Sequence, residues 1–153
     1  MTATAPVFAR SVSGPLPTVV LVEDNADDAL LVREAYRRTC MGNPFTVARD
    51  GFEALDIALD PSTHDRPGLM LLDLIMPRLS GVSVIARLRQ APRTRTMPIV
   101  VLSSSSEPDD ITASYAAGAN SYLVKPLDFT SLERLVRHAI RYWLRHNERP
   151  PPG

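Results

Sequence analysis

The chain has 153 residues, enough for one domain with a sizeable core, and its 44% hydrophobic and 22% charged residues are those of a folded globular protein. Seventeen basic residues against 17 acidic ones give a formal charge of zero, which removes any long-range pull toward nucleic acid or anionic membrane. No apolar run nears the ~20 residues of a membrane span, residues 1–17 lack the apolar core of a secretory signal, and the lone Cys40 excludes a disulfide framework or a thiolate zinc site, so a cytoplasmic protein is expected.

Residues 1–16, rich in Ala, Thr, Ser, Gly and Pro, read as a disordered lead-in, residues 17–146 as the folded domain, and residues 147–153 as a polar, proline-rich tail. Thr18–Val22 is a short β-branched run and predicts a strand buried on both faces. Ala26–Thr39 predicts a helix with Ala29, Leu30, Val32, Ala35 and Tyr36 on its apolar face, while Asp27 and Asp28 suit its positive N-terminal end. Cys40 is expected to be at least partly buried. A second strand follows at Phe45–Ala48, then a helix at Gly51–Leu59 and a third strand at Leu69–Leu72. Helix at Val82–Arg89, strand at Pro98–Leu102 and helix at Asp109–Ala117 come next, with Gly118 a suitable C-terminal cap. A fifth strand, Ser121–Val124, precedes a long helix from Asp128 to about His146. His64, His138 and His146 repeat no metal-ligand spacing and read as solvated or capping groups.

Five strand–helix pairs with continuous apolar strands predict an α/β, doubly wound fold with a parallel sheet and right-handed crossovers. In such sheets ligands bind beyond the carboxyl ends of the strands. Those ends carry Glu23 and Asp24, then Asp73, Ser103, and Lys125 followed by Pro126. Carboxylates crowded at one rim repel unless a cation joins them. Oxygen donors without nearby His or Cys point to Mg²⁺, and three carboxylates would balance Mg²⁺ plus one ammonium. Sixteen of the 17 cations are Arg, so Lys125, the single lysine, stands out as a position suited to a compact point charge rather than a planar fork.

From about Thr18 to His146 the chain resembles a two-component response-regulator receiver domain. The resemblance rests on Leu21-Val22-Glu23-Asp24-Asn25, Leu72-Asp73-Leu74-Ile75-Met76-Pro77 with Ser80-Gly81, Val100-Val101-Leu102-Ser103, Ala117-Gly118-Ala119, and Ser121-Tyr122-Leu123-Val124-Lys125-Pro126. It implies a flavodoxin-like (βα)5 receiver fold with a five-stranded sheet in the order 2-1-3-4-5. It further implies that Asp73 accepts a phosphoryl group from a histidine kinase. Asp24, Asp73 and the backbone carbonyl of Ile75 would then hold Mg²⁺ directly, with Glu23 acting mainly through water. Lys125 would pair with one phosphoryl oxygen and Ser103 with another, while Tyr122 would change rotamer as a switch. Ser103 stands where the family more often has Thr, keeping the hydroxyl but losing the methyl that restricts its rotamer. Ile75 is apolar and cannot orient a hydrolytic water through its side chain, so slow self-dephosphorylation is expected and no conventional enzyme activity.

Residues 126–153 hold one helix and a tail, so no DNA-binding module is expected and the output is read as a protein contact. The run Val22–Asp28 and the serines from Ser103 to Ser106 resemble those of small regulators paired with bacterial phytochrome kinases. Two other classes stand against this reading. A receiver-like adaptor that never accepts phosphate would stay unlabelled by a phosphodonor. A flavodoxin-like flavin binder needs a phosphate-cradling loop after the first strand, where Glu23-Asp24-Asn25 would repel phosphate without a metal. In the last helix Leu132, Leu135, Val136, Ala139, Ile140 and Trp143 form a stripe toward the sheet, leaving Tyr142 and Leu144 off it. With Tyr115 and Tyr122 they predict a symmetric homodimer through the face of the fourth helix, fifth strand and fifth helix.

Overall fold

The computed structural model describes residues 14–63 and 66–150; His64 and most of the lead-in lie outside the described residues. Strands β1 (Val19–Val22), β2 (Phe45–Ala48), β3 (Leu69–Leu72), β4 (Ile99–Ser103) and β5 (Ser121–Val124) alternate with helices α1 (Ala26–Arg37), α2 (Gly51–Leu59), α3 (Gly81–Gln90), α4 (Pro108–Ala117) and α5 (Phe129–Arg141). All pairings are parallel and the sheet order is β2-β1-β3-β4-β5, the expected doubly wound topology.

The three inner strands are buried throughout and apolar up to Ser103 at the end of β4, because both of their faces are covered. The pleat sends alternate residues to opposite sides. Val20, Val22, Met70, Leu72, Ile99 and Val101 pack against α2 and α3 through residues such as Leu55, Val84 and Leu88. Val19, Leu21, Leu69, Leu71, Val100 and Leu102 pack against α1 and α5 through Val32, Tyr36, Leu132 and Val136. The edge strands β2 and β5 are only half-buried.

Helix starts follow local capping chemistry. Asn25, Asp50, Ser80 and Asp128 each accept a backbone N–H of the first turn. Gly118 ends α4 at φ +113°, a left-handed conformation, and a Cβ there would meet the Arg89 side chain at 2.8 Å.

Five expectations need correction. Helix α1 stops at Arg37 because Thr39 turns back, its hydroxyl and its N–H both donating to the Tyr36 carbonyl. Cys40, at φ +56° in that turn, is exposed rather than buried. Leu30 is also exposed, since it lies about 100° around the helix from Ala29 and off the buried stripe of Ala29, Val32, Ala35 and Tyr36. The last helix does not run on unchanged to His146: from Tyr142 to His146 it widens into a π turn, closed by the Asn147 N–H donating to the Tyr142 carbonyl at 2.7 Å. That extra residue rotates Leu144 back onto the α1–α5 half of the core, so it is not an exposed group. Beyond the turn, the Pro150 carbonyl accepts from Arg66 at 3.2 Å.

Candidate functional site

Register builds the site. Val22 of β1 pairs with Leu72 of β3, so Glu23, Asp24 and Asp73 leave the sheet side by side. Asp73 is tied back by its N–H to the Val22 carbonyl at 3.0 Å, and Glu23 by its N–H to the Ala48 carbonyl at 3.0 Å. On the other side Ser103 pairs with Val124, and the Lys125 N–H donates to the Ser103 carbonyl at 2.7 Å. The Lys125 side chain crosses from there to the carboxylates.

Glu23, Asp24 and Asp73 offer oxygens that all lie within 4.8 Å of one another, with Glu23 and Asp73 buried and Asp24 exposed. Ligand oxygens around octahedral Mg²⁺ at about 2.1 Å stand roughly 3–4 Å apart. The trio therefore closes on such an ion with small side-chain rotations, and its all-oxygen donors suit a hard cation. Lys125, only 11% exposed, sets its ammonium 3.1 Å from Glu23 Oε2, 3.5 Å from Asp28 Oδ2 and 3.9 Å from Asp73 Oδ2.

The electrostatics describe a site short of positive charge. Burial and then the neighbouring Asp73 push the Glu23 carboxyl up to about 7, against the pull of Lys125. Burial alone would lower Lys125, but Glu23, Asp73 and Asp28 outweigh it and hold the ammonium above its ordinary value. One ammonium does not neutralise these carboxylates, and a divalent cation would.

Ser103 is fully buried, and its Oγ accepts the Ser105 N–H at 3.2 Å. Tyr122 does not reach the carboxylates; its hydroxyl donates to the Ser105 carbonyl at 2.8 Å. The side chain of Ile75 is exposed, while its N–H donates to Asp73 Oδ1 at 3.4 Å. Sequence reasoning missed two participants. Asp28 reads in sequence only as a partner of the helix dipole, although it stands in the first turn of α1, close behind the acidic end of β1. Ser105 lay in a run of serines with nothing to separate it from its neighbours. It nonetheless contacts Ser103 through its N–H, Tyr122 through its carbonyl, and Asp110 of α4 through its hydroxyl.

A parallel 2-1-3-4-5 sheet with clustered acids, a lysine and a buried hydroxyl at its carboxyl rim is the architecture of a two-component signalling receiver. The chain belongs to that family: residues 19–137 match the response regulator receiver domain. It is 37% identical over 137 residues to the probable methanogenesis regulatory protein FilR2 of Methanothrix harundinacea, covering 88% of each chain. It is 33% identical over 135 residues to the response regulator Rcp1 of a Synechocystis strain, covering 86% of this chain and 92% of that one. Among solved structures, the phosphorylated cyanobacterial phytochrome response regulator RcpA superposes with a TM-score of 0.81 at 33% identity, over 88% of this chain and 98% of that one. The Mn²⁺-bound form of Rcp1 superposes with a TM-score of 0.78 at 32% identity, over 88% of this chain and 99% of that one. Among the described residues no helix is long and apolar enough to cross a membrane.

Proposed function

We propose that Asp73 accepts a phosphoryl group from the phosphohistidine of a histidine kinase, and that residues 17–146 are the working unit. The observation that carries this reading is the carboxylate trio with the Lys125 ammonium 3.9 Å from Asp73 Oδ2. An Asp73 oxygen attacks phosphorus, the P–N bond breaks, and the imidazole leaves with the electron pair. Such a transfer asks for in-line positioning and neutralisation of the equatorial oxygens. Mg²⁺ bound by Asp24 and Asp73, with the Ile75 carbonyl and Glu23 assisting, would supply most of that neutralisation. Lys125 and the Ser103 hydroxyl serve the remaining oxygens. Once Ser103 turns toward the phosphoryl group, its hold on the Ser105 N–H is lost, and the Tyr122 contact to the same residue is loosened with it. Exposed Ile75 brings no polar group to orient water, so the acyl phosphate should hydrolyse slowly.

RcpA is a phytochrome response regulator, which supports a phytochrome-type kinase as the donor. We read the protein as cytoplasmic, with its output a protein contact rather than DNA binding. Exposed Tyr115 of α4, Val124 of β5 and Tyr142 just beyond α5 support a homodimer through α4, β5 and α5. Tyr122 and Leu144 pack inward and do not contribute to it. Incubation with a small acyl phosphate and Mg²⁺ tests the central step. The native chain should gain one base-labile phosphoryl group that chelation prevents. Asp73→Asn should gain none, and full labelling of that variant would remove the proposal.

A further inference from the structure

Lys125 is shared unequally between two sides. Towards the metal-binding trio it meets Glu23 at 3.1 Å and stands 3.9 Å from Asp73, beyond hydrogen-bond distance. On the other side it meets Asp28 at 3.5 Å, a carboxylate that is not part of the trio. Asp28 is held there by the start of α1, where the Asn25 side chain accepts the Asp28 N–H at 3.0 Å. A direct bond from the ammonium to a phosphoryl oxygen needs about 2.8 Å. A phosphoryl group extends beyond the Asp73 oxygen that carries it, so its oxygens reach an ammonium already engaged by Glu23 and Asp28.

We infer that Asp28 is a positioning residue that competes with a phosphoryl group on Asp73 for the Lys125 ammonium. The inference rests on the reading of Asp73 as the phosphoacceptor. Two carboxylates then contend for the compact charge with the incoming phosphoryl oxygens. Glu23 is buried at 3% side-chain exposure, and Asp28 is 45% exposed, so Asp28 is the weaker and more easily released hold. Lysine suits the arrangement because its flexible stem carries one point charge across a short arc, which a rigid guanidinium fork would not do. Asp28 thereby tunes how readily the phosphorylated geometry forms without touching the metal or the transferred group.

The single lysine gives this a direct readout, because lysine labelled with ¹³C at Cε yields one side-chain signal, that of Lys125. In the native protein, Mg²⁺ with beryllium trifluoride, an isostere of the phosphoryl group, should move that signal. Asp28→Asn should move the resting signal part of the way along the same line and tighten beryllium trifluoride binding about threefold, the scale of a half-exposed ion pair. Asp28→Glu should restore both. Asp27→Asn, which removes the same charge from the same helical turn, should leave both at native values. An Asp28→Asn protein indistinguishable from Asp27→Asn in signal position and in affinity would overturn the inference alone. A native signal unmoved by Mg²⁺ and beryllium trifluoride, or one that moves equally in Asp73→Asn, would instead overturn the phosphoacceptor reading and this inference with it.

Discussion

At the scale of single residues, the site combines groups that the sequence marks clearly with groups that it hides. Glu23, Asp24, Asp73 and Lys125 were legible because they stand at the carboxyl ends of apolar strands, and a parallel sheet delivers all strand ends to one rim. Ser105 and Asp110 were not legible, because their contact depends on the path of the loop between β4 and α4. Cys40 misled because composition makes cysteine a buried residue on average, and the left-handed turn that follows α1 turns it outward. Lys125 gives the sharpest test at this scale. Lys125→Arg should leave Mg²⁺ affinity within about threefold, since both side chains carry one positive charge. The wider, planar head should nonetheless fail to take up the position in the site that the ammonium reaches. The variant should therefore be phosphorylated without the backbone shifts of β5 and α4 that NMR is expected to record for the native protein. An arginine protein that shifts as the native one does would make the lysine incidental.

At the scale of elements, helix ends and inter-helix ties set how firmly the rim is held. Arg89, at the end of α3, carries its half-buried guanidinium into a ring of acceptors: the carbonyls of Thr94, Met97 and Gly118, at 3.0, 2.8 and 2.8 Å, and Asn120 Oδ1 at 2.8 Å. Burial holds its pKa below the ordinary arginine value, so the group is kept in place by carbonyl dipoles rather than by a carboxylate. It joins α3 to the end of α4 and the entry to β5. Arg89→Met should cost about 2–3 kcal/mol in urea unfolding, because buried acceptors lose their donor. A loss below about 0.5 kcal/mol would show that water replaces the guanidinium at no penalty. On the opposite face, Arg38 bridges Glu34 of α1 and Glu133 of α5, both at 3.0 Å. Hydrogen bonds from Arg37 and Arg38 hold the Glu34 carboxyl down at about 2, against an ordinary value of 4.5. A depressed carboxylate stabilises the fold above its unfolded value and loses that contribution as pH falls toward the folded one. Glu34→Gln should therefore lower the urea midpoint at pH 6 more than at pH 3, and an equal loss at both would assign the effect to packing. The elements themselves were mostly read correctly from periodicity and caps. The π turn at Tyr142–His146 was not, because nothing in a helical pattern marks one inserted residue.

Across the whole molecule, the sheet divides one core into two halves, and Tyr115 of α4 and Tyr142 just beyond α5 are left exposed. Tyr115 is 49% and Tyr142 52% exposed, and the homodimer proposed above would bury both. Tyr142→Asp should convert a dimer to a monomer in sedimentation equilibrium at micromolar concentration. A native protein that sediments as a monomer, with and without beryllium trifluoride, would assign the face to a different partner. The parallel, doubly wound sheet was legible from the alternation of apolar strands with helices, whereas the strand order followed only from the resemblance to receiver domains.

The central claim is chemical, and borohydride tests it at the level of the atom. Reduction of an aspartyl phosphate cleaves the acyl group to a primary alcohol and leaves homoserine where the aspartate stood. After phosphorylation with Mg²⁺ and reduction, peptide mass spectrometry should find homoserine at position 73. Homoserine at Asp24 or at any other carboxylate, or its absence from a chain labelled in full, would contradict the account.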